Sequence, residues 1–180
     1  MKRTFLSPML MLVLSLAILG GCGGKKKEDT PDPVPPTKAA LTLSTEVSGA
    51  IPAGTMVNSY SATITLPAGV TVKSSVNPPE TDAGVVTATG TASGAVITGV
   101  YTPATSTKPG TVKVYVASAT GFGAAGGAFC TVQCDITAGH EPKAADFTAP
   151  KLDDATGLDS SLSTVILTNV LTLKATVVLQ

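Results

Sequence analysis

The chain has 180 residues, twelve basic and twelve acidic side chains, and a formal net charge of zero. Hydrophobic residues make up 43%, aromatic residues only 4%, and there is no Trp. That length fits one domain with appendages. The absence of a basic excess excludes the electrostatic footprint of a nucleic-acid binder, and one His (His140) with three Cys leaves little material for a His-based triad or a multi-ligand metal centre.

At the N-terminus, Lys2 and Arg3 precede the apolar run Met9 to Leu19, and Leu19-Gly20-Gly21 supplies small residues just before Cys22. Charge, short apolar run and small residues read together as an export signal. The run is too short to cross roughly 30 Å of hydrocarbon, which takes about 20 residues. Leu19-Gly20-Gly21-Cys22 resembles the lipobox of bacterial lipoproteins, although Gly20 stands where Ala or Ser is more usual. The resemblance implies a signal peptide over residues 1–21, cleavage before Cys22, and a diacylglycerol on the Cys22 sulfur that makes the membrane a partner. Each buried CH₂ of such a chain contributes about 0.8 kcal/mol. Gly23, in the place of an Asp, implies by the same resemblance onward sorting to the outer membrane of the cell envelope. Loss of Lys2 and Arg3 with the signal leaves ten basic against twelve acidic side chains.

Residues 22–38 comprise the lipidated Cys and a Pro- and Lys-rich linker without apolar periodicity. Such a segment buries too little surface to offset its ordering entropy and is expected to be a disordered, partly polyproline-like stalk. Lys25, Lys26 and Lys27 read as a solvated charge run.

From residue 39 to 180 the texture changes to period-2 alternation. Leu41, Leu43 and Val47 alternate with Thr42, Ser44 and Glu46. Tyr60, Ala62, Ile64 and Leu66 share one face, Val70 and Val72 follow a Pro67-Ala68-Gly69 turn, and Val112, Val114 and Val116 alternate with Thr111, Lys113 and Tyr115. Leu171, Leu173, Ala175, Val177 and Leu179 repeat the pattern. Each run predicts a strand with one buried and one wetter face. Turn signals stand at Pro52-Ala53-Gly54, Asn77-Pro78-Pro79, Lys108-Pro109-Gly110 and Gly157. A turn or short helix is expected only around Leu158 to Leu162. Many short strands without helices predict an all-β, antiparallel β-sandwich.

Cys130, Val132, Cys134 and Ile136 fall on one strand face, with Phe129, Thr131, Gln133 and Asp135 on the other. Four strand residues span about 13 Å, whereas bridged Cα atoms lie within about 7 Å. Both thiols therefore read as small buried core residues, and a local turn that lets them pair is the alternative. Gly121-Phe122-Gly123-Ala124-Ala125-Gly126 matches G-x-G-x-x-G, but a strand follows it where a dinucleotide site needs a helix, so it predicts an inter-strand connection and no nucleotide. Asp153, Asp154 and Asp159 lack the alternate-position spacing of a calcium loop and read as a solvated turn with Gly157 at positive φ. His140 lies in a loop signature with no nucleophile paired to it. No catalytic residue, metal site or cofactor is assigned.

Three further stretches, Leu66-Pro67-Ala68-Gly69-Val70-Thr71-Val72, Gly110-Thr111-Val112-Lys113-Val114-Tyr115-Val116 and the segment Gly127 to Ile136, resemble the cohesin-like and carbohydrate-binding-like sandwiches of bacterial surface proteins. Ala144-Ala145-Asp146-Phe147 and the Leu171 to Leu179 run fit the closing part of that pattern. The resemblance implies a jelly-roll of about eight or nine strands that binds proteins or polysaccharides outside the cell. Tyr101 and Tyr115 are the candidate ligand contacts, with Tyr115 the one most clearly on a polar-facing position. A sugar-stacking platform needs more rings than these, so the expected function is non-catalytic protein–protein interaction. A carbohydrate-binding module or a structural envelope component is the alternative.

Overall fold

A computed structural model describes residues 34–122, 125–148 and 150–180, and Val34–Gln180 forms one unit. The signal peptide, the lipobox residues Leu19, Gly20 and Gly21, Cys22 and the linker through residue 33 lie outside the described residues.

Among the described residues ten strands follow in chain order: β1 (Lys38–Val47), β2 (Met56–Thr65), β3 (Val70–Thr71), β4 (Val86–Ala88), β5 (Val96–Thr102), β6 (Thr111–Ala117), β7 (Gly127–Ile136), β8 (Lys151–Leu158), β9 (Thr164–Ile166) and β10 (Leu171–Leu179). Short 3-10 turns at Gly90–Ala92 and Ala144–Asp146 are the helical pieces among the described residues. The first sheet runs β10-β1-β7-β3, with β4 also paired to β7, and the second runs β5-β6-β2-β8-β9. Every strand pairing is antiparallel. The chain is thus an all-β antiparallel sandwich, as its alternation predicts. β1 starts one residue before the expected boundary, and Thr37 and Lys38 both donate backbone hydrogen bonds to Gln180.

The buried faces follow the apolar positions. Leu41 and Leu43 of β1, Tyr60, Ala62 and Ile64 of β2, Val112, Val114 and Val116 of β6, and Val132 and Cys134 of β7 meet between the sheets. Tyr60 stacks on Phe122 (5.1 Å between centroids, 4° between planes) and leans on Phe129 (4.6 Å, 30°). The second contact joins the two sheets, and each such pair adds about 0.5–1.5 kcal/mol beyond area burial.

Several expectations are corrected. Phe129 does not face away from Cys130. The register of β7 against β1 slips so that Leu43 opposes Cys130 while Ser44 opposes Ala128. This β-bulge turns the Phe129 ring inward, and both residues are fully buried. Segment 151–158, read as a solvated turn, is strand β8. Gly157 lies in that strand without a positive φ, and what calls for glycine there is space: a Cβ would meet the Met56 carbonyl oxygen and the Thr55 methyl, each at 2.8 Å. The expected turn around Leu158 to Leu162 is present, closed by the Leu162 N–H donating to Asp159 O at 3.0 Å. These residues complete β8 and turn into β9, with the Asp159 carboxylate accepting from the backbone N–H groups of Ser161 and Ser163.

Candidate ligand-binding face

The outward face of the second sheet is built by register. Thr98 of β5, Tyr115 of β6, Ser61 of β2 and Asp154 of β8 oppose one another in one row. A parallel row runs Val96, Ala117, Ser59, Thr156 and Ile166. Its two ends are exposed aliphatics (Val96 76%, Ile166 72%), and its middle is a hydroxyl pair, Ser59 Oγ to Thr156 Oγ1 at 2.6 Å.

Tyr115 is 41% exposed near the centre, with Lys113 Nζ 5.3 Å from its ring centroid. Lys113 also lies 3.9 Å from Asp153, which pairs with Lys151 at 3.2 Å and accepts a 2.5 Å hydrogen bond from Thr63 Oγ1. A bulge produces this cluster. Ser61 opposes Asp154 and Ala62 opposes Leu152, so Asp153 is the extra residue and is aimed at Thr63. Burial pushes the Asp153 carboxyl up, but the Thr63 and Lys151 hydrogen bonds and the two lysine charges outweigh it and hold the group below the usual range.

Tyr101 does not belong to this face. It is 6% exposed, because Ile97, Gly99 and Tyr101 are the inward positions of β5. Tyr101 is therefore a core residue, and Tyr115 alone of the two candidate tyrosines offers a ring to solvent. Burial raises the Tyr101 hydroxyl, with a smaller contribution from Cys134.

The other chemistry-bearing residues stay apart. Asp153 is held by lysines, Asp154 accepts from Thr168 Oγ1 at 3.2 Å, and Asp159 caps its own hairpin. Among the described residues no three His, Cys, Asp or Glu side chains gather around a common point. His140 packs its ring on Gly69, where a Cβ would overlap it, and is otherwise exposed. Cys130 and Cys134 are free and buried, and burial pushes both thiols up to about 12, helped at Cys134 by the Asp135 charge. Gly127 of the glycine-rich segment opens strand β7, while Gly123 and Ala124 lie outside the described residues. Among the described residues no helix is long and apolar enough to cross a membrane.

The site that emerges is hydroxyl-rich, with one exposed ring. Lys113 and Lys151 are both paired with Asp153. The bulge at Asp153 could not be read from sequence, because adjacent aspartates in a strand ordinarily face opposite ways. No protein-family model matches the chain, and neither a curated protein nor a solved structure matches it.

Proposed function

We propose that this chain is a lipid-anchored surface protein of the bacterial envelope whose cohesin-like, jelly-roll sandwich binds another protein through the outward face of β5-β6-β2-β8-β9. The observation that carries this reading is the exposed Tyr115 ring beside the Lys113–Asp153–Lys151 cluster on an open sheet. A large amphipathic ring flanked by oriented charges is what protein interfaces use as an anchor with a polar surround. Small-molecule sites are concave, and the cavity of about 270 Å³ at the end of this sheet, lined by Met56, Asn58 and Leu158, does not include Tyr115. The Leu19-Gly20-Gly21-Cys22 string supports the anchor, and Gly23 in the place of an Asp supports outer-membrane sorting.

A photo-crosslinking amino acid placed at Tyr115 in the native cell is expected to capture one discrete protein, and Tyr115→Ala to lose it from a co-purification. Polysaccharide binding is the second reading, favoured by the same exposed ring. Retention on a glycan that Tyr115→Ala abolishes would replace the first reading by the second. For the anchor, Cys22→Ala is expected to move the protein from the membrane pellet to the soluble fraction, and a variant that stays in the pellet would overturn it.

A further inference from the structure

We infer that the outer edge of β10 is a self-association surface, at which a second copy of the chain adds its own β10 antiparallel about a two-fold axis at Ala175. The inference is independent of the face around Tyr115 and goes beyond the binding function proposed for it.

A sheet edge exposes unpaired N–H and C=O groups, and proteins blunt such edges with short strands, prolines, bulges, charges or covering loops. Three of the four edges here are blunted. β3 and β4 are two and three residues long, and β9 is three. β5 is covered by the preceding loop, with Tyr101 N–H donating to Pro79 O at 3.0 Å and Thr81 N–H to Gly99 O at 2.8 Å. β10 differs. It is nine residues long, contains no proline, and pairs with β1 without a register shift. Its single charge, Lys174, is already held by Glu46 at 2.6 Å.

Backbone alternation identifies the free groups. Lys38 and Gln180 exchange both hydrogen bonds, at 2.9 and 2.8 Å. In an unbroken antiparallel ladder the hydrogen-bonded pairs then fall on Val178, Thr176, Lys174 and Thr172. Leu171, Leu173, Ala175, Val177 and Leu179 therefore direct N–H and C=O away from β1, and no described residue takes them up.

The strand is self-complementary. Only registers that pair odd residues with odd residues satisfy these groups. Placing Ala175 opposite its own copy overlaps the whole strand, so that Leu171 meets Leu179 and Leu173 meets Val177. The same register sets Lys174 opposite Thr176, whereas sliding it by one odd-numbered step sets Lys174 against Lys174, with like charges directly opposed. A cleft of about 410 Å³ runs beside the edge between Leu173, Ala175 and Val177 on one side and Phe147 and Pro150 on the other. Ala175, Val177 and Leu179 are only partly buried there. The inward side chains of the second β10 are apolar and would cover this strip.

Sedimentation velocity of the full chain in detergent, at rising protein concentration, tests the inference. Wild type is expected to pass from monomer to dimer. Ala175→Pro removes the N–H at the two-fold axis and leaves the β1 ladder intact, because that N–H points outward, so it is expected to remain monomeric with an unchanged circular dichroism spectrum. Thr176→Lys, on the solvent face, puts two like-charged pairs across the axis and is expected to weaken the dimer on the order of 5-fold. Should Ala175→Pro fail to fold, Thr176→Lys decides. A wild type that stays monomeric overturns the inference, as does a dimer that both variants leave intact. A monomer that captures an extended apolar peptide overturns it in favour of a foreign strand.

Discussion

Thr45 is a buried polar residue in an apolar core (1% exposed), and its hydroxyl is fully accounted for. It donates to Ala125 O at 2.8 Å and lies 3.5 Å from the Tyr60 hydroxyl, which donates to the same carbonyl at 3.2 Å. The pair fastens the glycine-rich segment, together with the Phe122 ring, onto the core. Burial raises the Tyr60 hydroxyl above its ordinary value, and the Thr45 hydrogen bond partly offsets that. Thr45→Val keeps the shape and removes the donor, so it is expected to lower unfolding free energy by about 1–2 kcal/mol in urea titrations. Combining it with Tyr60→Phe is expected to be non-additive, because both act on one acceptor. At this scale the sequence was only partly legible. Thr45 follows Leu43 at the inward spacing, but a Thr in that phase reads as polar, and its partners lie 15 and 80 positions away. Cys130 and Cys134 were legible, since strand geometry alone keeps them too far apart to bridge.

Elements were legible where the inward positions carry bulk. β1, β2, β6 and β10 present Leu, Ile, Val or Tyr at most of their inward positions, and all four stand where the alternation puts them. β5 and β8 escaped because their inward positions include Gly99, Ala155 and Gly157, while Val96 and Val100 of β5 point outward. Those small residues are fitted to close neighbours. A Cβ on Gly99 would lie 2.7 Å from Thr81 Oγ1 and 2.8 Å from Val86 Cγ2. Gly157→Ala is expected to cost about 1–3 kcal/mol, since backbone and a branched side chain must both move. A fall in thermal midpoint measures it, and no change would mean that β8 sits further from β2 than described. The candidate face was half legible for the same reason. Tyr115 lies in a clear Val alternation, so its outward phase is certain. Tyr101 lies in a strand whose phase Gly99 conceals, and it proves to be core.

For the whole molecule, two sheets, short connections and an apolar interior were readable from period and turn chemistry, but strand order was not, because pairing partners are set by distant packing. That packing also shapes the pH response. Both β7 thiols are raised from 9.0 to about 12 by burial. Below pH 9 they are protonated folded and unfolded, and stability is unaffected. Between pH 9 and 12 the unfolded chain releases protons that the native state retains, so stability falls by about 1.4 kcal/mol per pH unit for each thiol. Denaturant titrations across that window are expected to show this limb, and Cys130→Ala with Cys134→Ala to flatten it even though their absolute stability is lower. One architectural detail bears on mechanics. β1, where the chain enters at Lys38, is no edge but an interior strand, laddered to β10 on one side and β7 on the other. A pull arriving at Lys38 along the strand loads both ladders in shear, so many bonds share the force at once. Traction on a β10 end would instead peel a single ladder one pair at a time. Force applied along β1 at Lys38 is therefore expected to meet more resistance than force applied at an end of β10.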